Sequence, residues 1–110
     1  MSEKKGVALG EKLNLANLAG YQDGAVVSRT VVDKPVGTIT AFAFDAGEGL
    51  SEHTSPYHAF VQVLDGEAEI NIEGTLHKVA AGEIIIMPPN KPHSLRAVQR
   101  FKMLLVMIRA

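Results

Sequence analysis

The chain has 110 residues, 46% hydrophobic and 21% charged, with 11 Lys and Arg against 12 Asp and Glu, a net charge of −1. That is the length of one domain around one core, and the charge balance offers no basic face for a phosphate backbone or an anionic membrane, so neither nucleic acid nor membrane is expected as a partner. The absence of cysteine excludes a disulfide framework and any cysteine-ligated zinc or iron–sulfur centre, and leaves a metal to His, Asp and Glu.

In chain order, Met1–Gly10 carries two lysines but no apolar run of the length a secretion signal requires, which makes the cytoplasm the expected location. Residues 12–20 (KLNLANLAG) fit either a short helix ended by Gly20 or an opening strand, since the leucines satisfy neither period. Residues 1–24 are taken as an N-terminal extension packing on the main body or on a partner subunit, and residues 25–110 as a single domain. From Ala25 onward the pattern is β throughout: Ala25–Val32, Thr38–Asp45, Tyr57–Leu64, Glu67–Glu73, Leu76–Val79, Glu83–Met87, His93–Val98 and Phe101–Ile108, divided by Gly, Pro, Asn and Asp. Many short strands with little helix predict an all-β sandwich or barrel.

Glu67–Glu73 shows the clearest alternation, with Ala68, Ile70 and Ile72 facing a core and Glu67, Glu69 and Glu73 forming a solvated face. Asp65-Gly66 before it is a tight-turn signal that predicts a hairpin between Tyr57–Leu64 and Glu67–Glu73. Met103–Ile108 is apolar at six consecutive positions and far too short to span a bilayer. It predicts a strand sandwiched centrally or buried against a second subunit, and hence a homodimer. Met87, Met103 and Met107 read as core filler, and Arg96, Arg100 and Arg109 as surface charges.

Two stretches carry the chemistry. Gly47 to Gly66 (GEGLSEHTSPYHAFVQVLDG) places His53 after a glycine and five intervening residues, and Gly82 to His93 (GEIIIMPPNKPH) places Pro88 after a glycine and five more, with His93 closing a turn stiffened by Pro88, Pro89 and Pro92. If the flanking strands share one barrel, the two imidazoles point into one cavity, and imidazole serves both metal binding and proton transfer.

The stretches resemble the two signature motifs of the cupin superfamily over about residues 36–108. Gly47, His53 and Gly66 match the first motif in register, and Gly82, Pro88 and His93 match the second. The resemblance implies a jelly-roll β-barrel, or double-stranded β-helix, and a metal site in its mouth. Ser55 stands at the family's second His and Ala59 at its Glu, so two of four family ligands are missing. Asn90 replaces the family glycine with the residue best suited to a left-handed backbone, and Ala97 replaces the motif asparagine.

The implied ligands are therefore His53 and His93, with His58 as an additional candidate, for a divalent Fe, Mn, Ni or Zn ion; no organic cofactor is expected. Strand alternation points His58 away from the ligand positions. Ser55, Ala59, Tyr57 and His77 are the candidate cavity and ligand-contacting residues, His77 because it is in phase with Val79. Three functions are consistent with this set. One is a metal-dependent oxygenase, isomerase or decarboxylase with a reduced site, another a non-catalytic module that binds or senses a small molecule, and the third metal-free acid–base catalysis with Tyr57 as the acid.

Overall fold

A computed structural model describes residues 9–109. Residues 1–8, on which the expectation about a secretion signal and the first part of the expected N-terminal extension fall, and residue 110 lie outside the described residues. The strands, in order, are β1 (Val26–Lys34), β2 (Gly37–Phe44), β3 (Gly49–His53), β4 (Tyr57–Asp65), β5 (Glu67–Ile72), β6 (Thr75–Ala80), β7 (Ile84–Met87), β8 (His93–Arg96) and β9 (Phe101–Arg109). They form two antiparallel sheets, a five-stranded one in the order β1-β2-β9-β4-β7 and a four-stranded one in the order β3-β8-β5-β6. The sheets face each other as a jelly roll without hydrogen bonds closing their edges into a continuous barrel.

The core lies between the sheets and follows strand alternation. On β4, Ala59, Val61 and Val63 are buried while His58 and Asp65 are exposed. On β5, Ala68 and Ile70 are buried. Phe44 and Phe101 stack with ring centroids 4.5 Å apart, an offset aromatic contact that adds to the roughly 1.5–3 kcal/mol each large apolar side chain contributes on burial.

The hairpin expected at Asp65-Gly66 does not form. Strands β4 and β5 belong to different sheets, and the chain crosses from one to the other at this point. The twist-matching two-residue turns need positive φ at both central residues (type I′) or at the first (type II′), and here only the second, Gly66, has it (φ 73). A Cβ on Gly66 would lie 2.2 Å from the Arg100 carbonyl oxygen, so glycine serves close passage of the chain rather than a turn. The tight hairpin falls one strand later, at Glu73 (φ 51) and Gly74 (φ 83) between β5 and β6.

Residues 12–20 resolve the two open readings as neither: Leu15–Asn17 is a single 3₁₀ turn, capped by the Asn14 side chain accepting from Ala16 N–H. The segment lies against the outward side of the five-stranded sheet, with Ala19 buried on Ala41 and Ala43. Lys102 Nζ donates to the Ala16 carbonyl at 2.7 Å, and Tyr21 Oη donates to Asp65 at 2.5 Å with its ring beneath Arg100 and Lys102. Burial, reinforced by Asp65, holds the Tyr21 phenol above its ordinary pKa. Arg100 joins Asp23 (2.6 Å) to Asp45 (2.8 Å).

Strand β9 is the centre of the five-stranded sheet, which accounts for its unbroken apolar run. Met103, Leu105 and Met107 face inward and Leu104, Val106 and Ile108 face outward.

Candidate functional site

The two motif stretches converge at one end of the sandwich. Strand β3 pairs with β8, and His53 is the register partner of His93 after a bulge between Leu50 and His53. The turn before β8 is fixed by Asn90 at φ 64, the left-handed conformation expected for it, and by Asn90 N–H donating to the Ser55 carbonyl at 2.7 Å. That bond ties the second motif to the first.

The histidines meet at their Nε2 atoms, 3.1 Å apart, with the rings edge to face. His53 Nδ1 lies 2.7 Å from the Ser51 carbonyl and His93 Nδ1 lies 3.1 Å from the Lys91 carbonyl. A carbonyl only accepts, so each Nδ1 carries a hydrogen, and the two Nε2 atoms, within hydrogen-bond reach of each other, are left to share a proton or to offer lone pairs to one cation. His93 is 4% exposed, whereas His53 stands at the solvent-facing mouth. Burial pushes the His93 pKa below its ordinary value, the Lys91 carbonyl works against that, and His53 adds to the lowering.

Behind the pair is a cavity of about 40 Å³. Its polar lining consists of His53, His93 and Ser55; Leu50, Leu95, Leu105 and Ala59 form apolar walls, and Met87, Met103 and Met107 complete it. No charged side chain lines it. Among the described residues there is no cluster of three or more His, Cys, Asp or Glu able to hold a metal.

The remaining candidates are distributed around this site. Ser55 and Ala59 line the cavity. Tyr57 lines an adjoining hollow of about 140 Å³ with Lys34, Pro35 and Thr38, separated from the histidines by Met107, which borders both. His58 projects outward as register partner of the exposed Ile108, so the structure does not bring it to the ligand pair. His77 does share the inward phase of Val79, being paired with buried Ile70. Strand β6 is nevertheless three strands from β3, about 14 Å at the usual spacing, and His77 borders an open groove with Lys78 and Glu83 instead. Sequence reasoning missed the strand that delivers His53, because β3 (GLSEH) is mostly exposed and has no apolar alternation. It also placed the three methionines in the core without the cavity they line.

The cupin domain family model matches residues 41–108, and the chain belongs to that family. A conserved protein of unknown function from Streptococcus pyogenes is 36% identical over 100% of this chain and 96% of that one, with a TM-score of 0.91. A cupin 2 conserved barrel domain protein from Leptotrichia buccalis is 39% identical, TM-score 0.86, over 88% of this chain and 47% of that one, so this chain spans about half its length. A salicylate 1,2-dioxygenase from Pseudoaminobacter salicylatoxidans shares the fold at 18% identity and TM-score 0.70, over 76% of this chain and 26% of the enzyme. No curated protein matches the sequence.

Proposed function

We propose that the protein is a metal-binding cupin in which His53 and His93 hold one transition-metal ion at the mouth of a small apolar cavity, leaving coordination positions open to a small ligand. The supporting observation is the opposed pair of Nε2 lone pairs 3.1 Å apart, each fixed by a backbone carbonyl at the other nitrogen. Two such lone pairs repel unless a proton or a metal cation lies between them, and the fixed Nδ1–H bonds leave both Nε2 atoms available to a metal. An ion at the usual ~2.0–2.1 Å from each nitrogen would see them at roughly 100°, an angle suited to adjacent ligands on one ion.

Binding is favoured over turnover by what surrounds the pair. The cavity, about 40 Å³, is far below the roughly 300–1,000 Å³ of a typical substrate pocket. Beyond the imidazoles it offers only the Ser55 hydroxyl, with no second acid or base. A cavity of this size supports a small bound ligand over an oxygenase, isomerase or decarboxylase acting on a larger substrate enclosed within it. The test is uptake of Zn(II), Ni(II), Fe(II) and Mn(II) by chelator-stripped protein prepared without an affinity tag. About one ion per chain is expected, with loss in His53→Ala and in His93→Ala. No uptake by the wild type of any of these ions or, under anaerobic conditions, of Cu(I), or undiminished uptake by both variants, refutes the reading.

We further propose a homodimer formed through the outward face of the five-stranded sheet. Val32, Ile39, Val106, Phe60 and Ile86 are successive register partners, an apolar row crossing all five strands. Ile86 at its end is 54% exposed, and Ile84 and Ile108 beside it are 52% and 55% exposed. Among the described residues, the N-terminal segment covers the Ala41–Ala43 end. At ordinary strand spacings the uncovered part measures roughly 24 by 17 Å, about 400 Å². That is close to the apolar share of a standard interface of roughly 800 Å² a side, and a flat row matches its own copy about a two-fold axis. Sedimentation equilibrium should give a dimer that Val106→Lys converts to monomer; a wild-type monomer at tens of micromolar would refute it.

A further inference from the structure

We infer that this site selects monovalent copper, with the thioethers of Met87 and Met107 joining His53 and His93; the inference rests on the two-histidine reading above. Ala59, at the position of the family's carboxylate ligand, has Met87 as its register partner on one side and Met107 on the other. These three residues make one cross-strand row facing the histidines. The small alanine leaves the space between the two sulfur-bearing side chains free, and Met87 is only 2% exposed.

Charge makes the second argument. The cavity lining contains no carboxylate, so an ion held by two neutral imidazoles keeps its full charge in an apolar enclosure. The solvation cost of a buried charge grows with its square, so a divalent ion pays about four times what a monovalent one does. Softness makes the third: thioether sulfur favours Cu(I), while Mn(II) and Fe(II) favour the carboxylate oxygen that is missing here.

The test is anaerobic competition of the stripped full-length protein against a Cu(I)-specific chromophoric chelator, beside Zn(II) and Ni(II) titrations, with X-ray absorption on the loaded wild type. Cu(I) should bind more tightly than either divalent ion, with a sulfur scatterer at about 2.3 Å. The Met87→Leu/Met107→Leu double variant, near-isosteric and checked for folding by circular dichroism, should lose about 10- to 100-fold in Cu(I) affinity with little change for Zn(II). A nitrogen- and oxygen-only shell overturns the inference independently of the variant, as does unchanged Cu(I) affinity in a folded variant. Tighter binding of Zn(II) or Ni(II) than of Cu(I) overturns it while leaving the two-histidine site standing. Absence of binding by any ion overturns both.

Discussion

Restoring the family's carboxylate by Ala59→Glu probes the site from the opposite direction. Ala59 is 3% exposed and faces the cavity, so the new carboxylate enters an apolar space of about 40 Å³ beside two imidazoles. Without an ion it is a buried charge that can be offset only by protonating a neighbouring imidazole or the carboxylate itself, and either way the effective penalty is several kcal/mol. Taking about 3 kcal/mol, and about 4–8 °C per kcal/mol for a domain of this size, the melting temperature should fall by roughly 12–24 °C in chelator. Saturating Zn(II) at about 100 times its dissociation constant adds about 2.7 kcal/mol to the folded state and should recover most of that loss. Differential scanning fluorimetry with chelator and with Zn(II) provides the measurement. An equal fall under both conditions would mean that the carboxylate does not reach an ion held by the histidines, and no fall in chelator would mean that the side chain escapes to solvent; either result refutes the geometry argued for the site.

Two further outcomes follow from the scaffold. Gly66→Ala combines a Cβ 2.2 Å from the Arg100 carbonyl with φ 73; the left-handed backbone alone costs about 1–2 kcal/mol, so chemical denaturation should show at least that loss, and a change below about 0.5 kcal/mol would contradict the close passage. Asp45, hydrogen-bonded first by Arg100 and then by the Gly24 and Ala46 amides, has its pKa lowered to about 2. A lowered carboxylate pKa contributes stability that is present above the unfolded value and lost as pH falls through the folded one. Asp45→Asn should therefore lower the melting temperature at pH 7 and flatten its acid dependence between about pH 4 and pH 2; a slope identical to wild type would refute the assignment.

The fold was legible where one face of a strand is wet. Alternation on Glu67–Glu73 identified β5 and its buried Ala68 and Ile70, and the apolar run of Met103–Ile108 identified a strand with both faces lined by hydrophobic side chains. The turn signal at Asp65-Gly66 misled because a glycine needed for close passage leaves the same mark in a sequence as one needed for a hairpin. For the site, spacing brought His53 and His93 to one place, and alternation turned His58 outward. Phase alone could not place His77, since facing inward says nothing about distance along the sheet. The sulfur lining stayed invisible because Met87 and Met107 become neighbours of Ala59 only through strand pairing.

The position of β9 carries a consequence for biosynthesis. Strand β9, the last among the described residues, inserts between β2 and β4, so both of those strands keep a bare hydrogen-bonding edge until residues 101–109 have been made. Strands β1 to β8 must therefore wait without a completed five-stranded sheet during synthesis, and a chain terminated before Phe101 would present two sticky edges at once. Premature termination should yield aggregates rather than a smaller folded product.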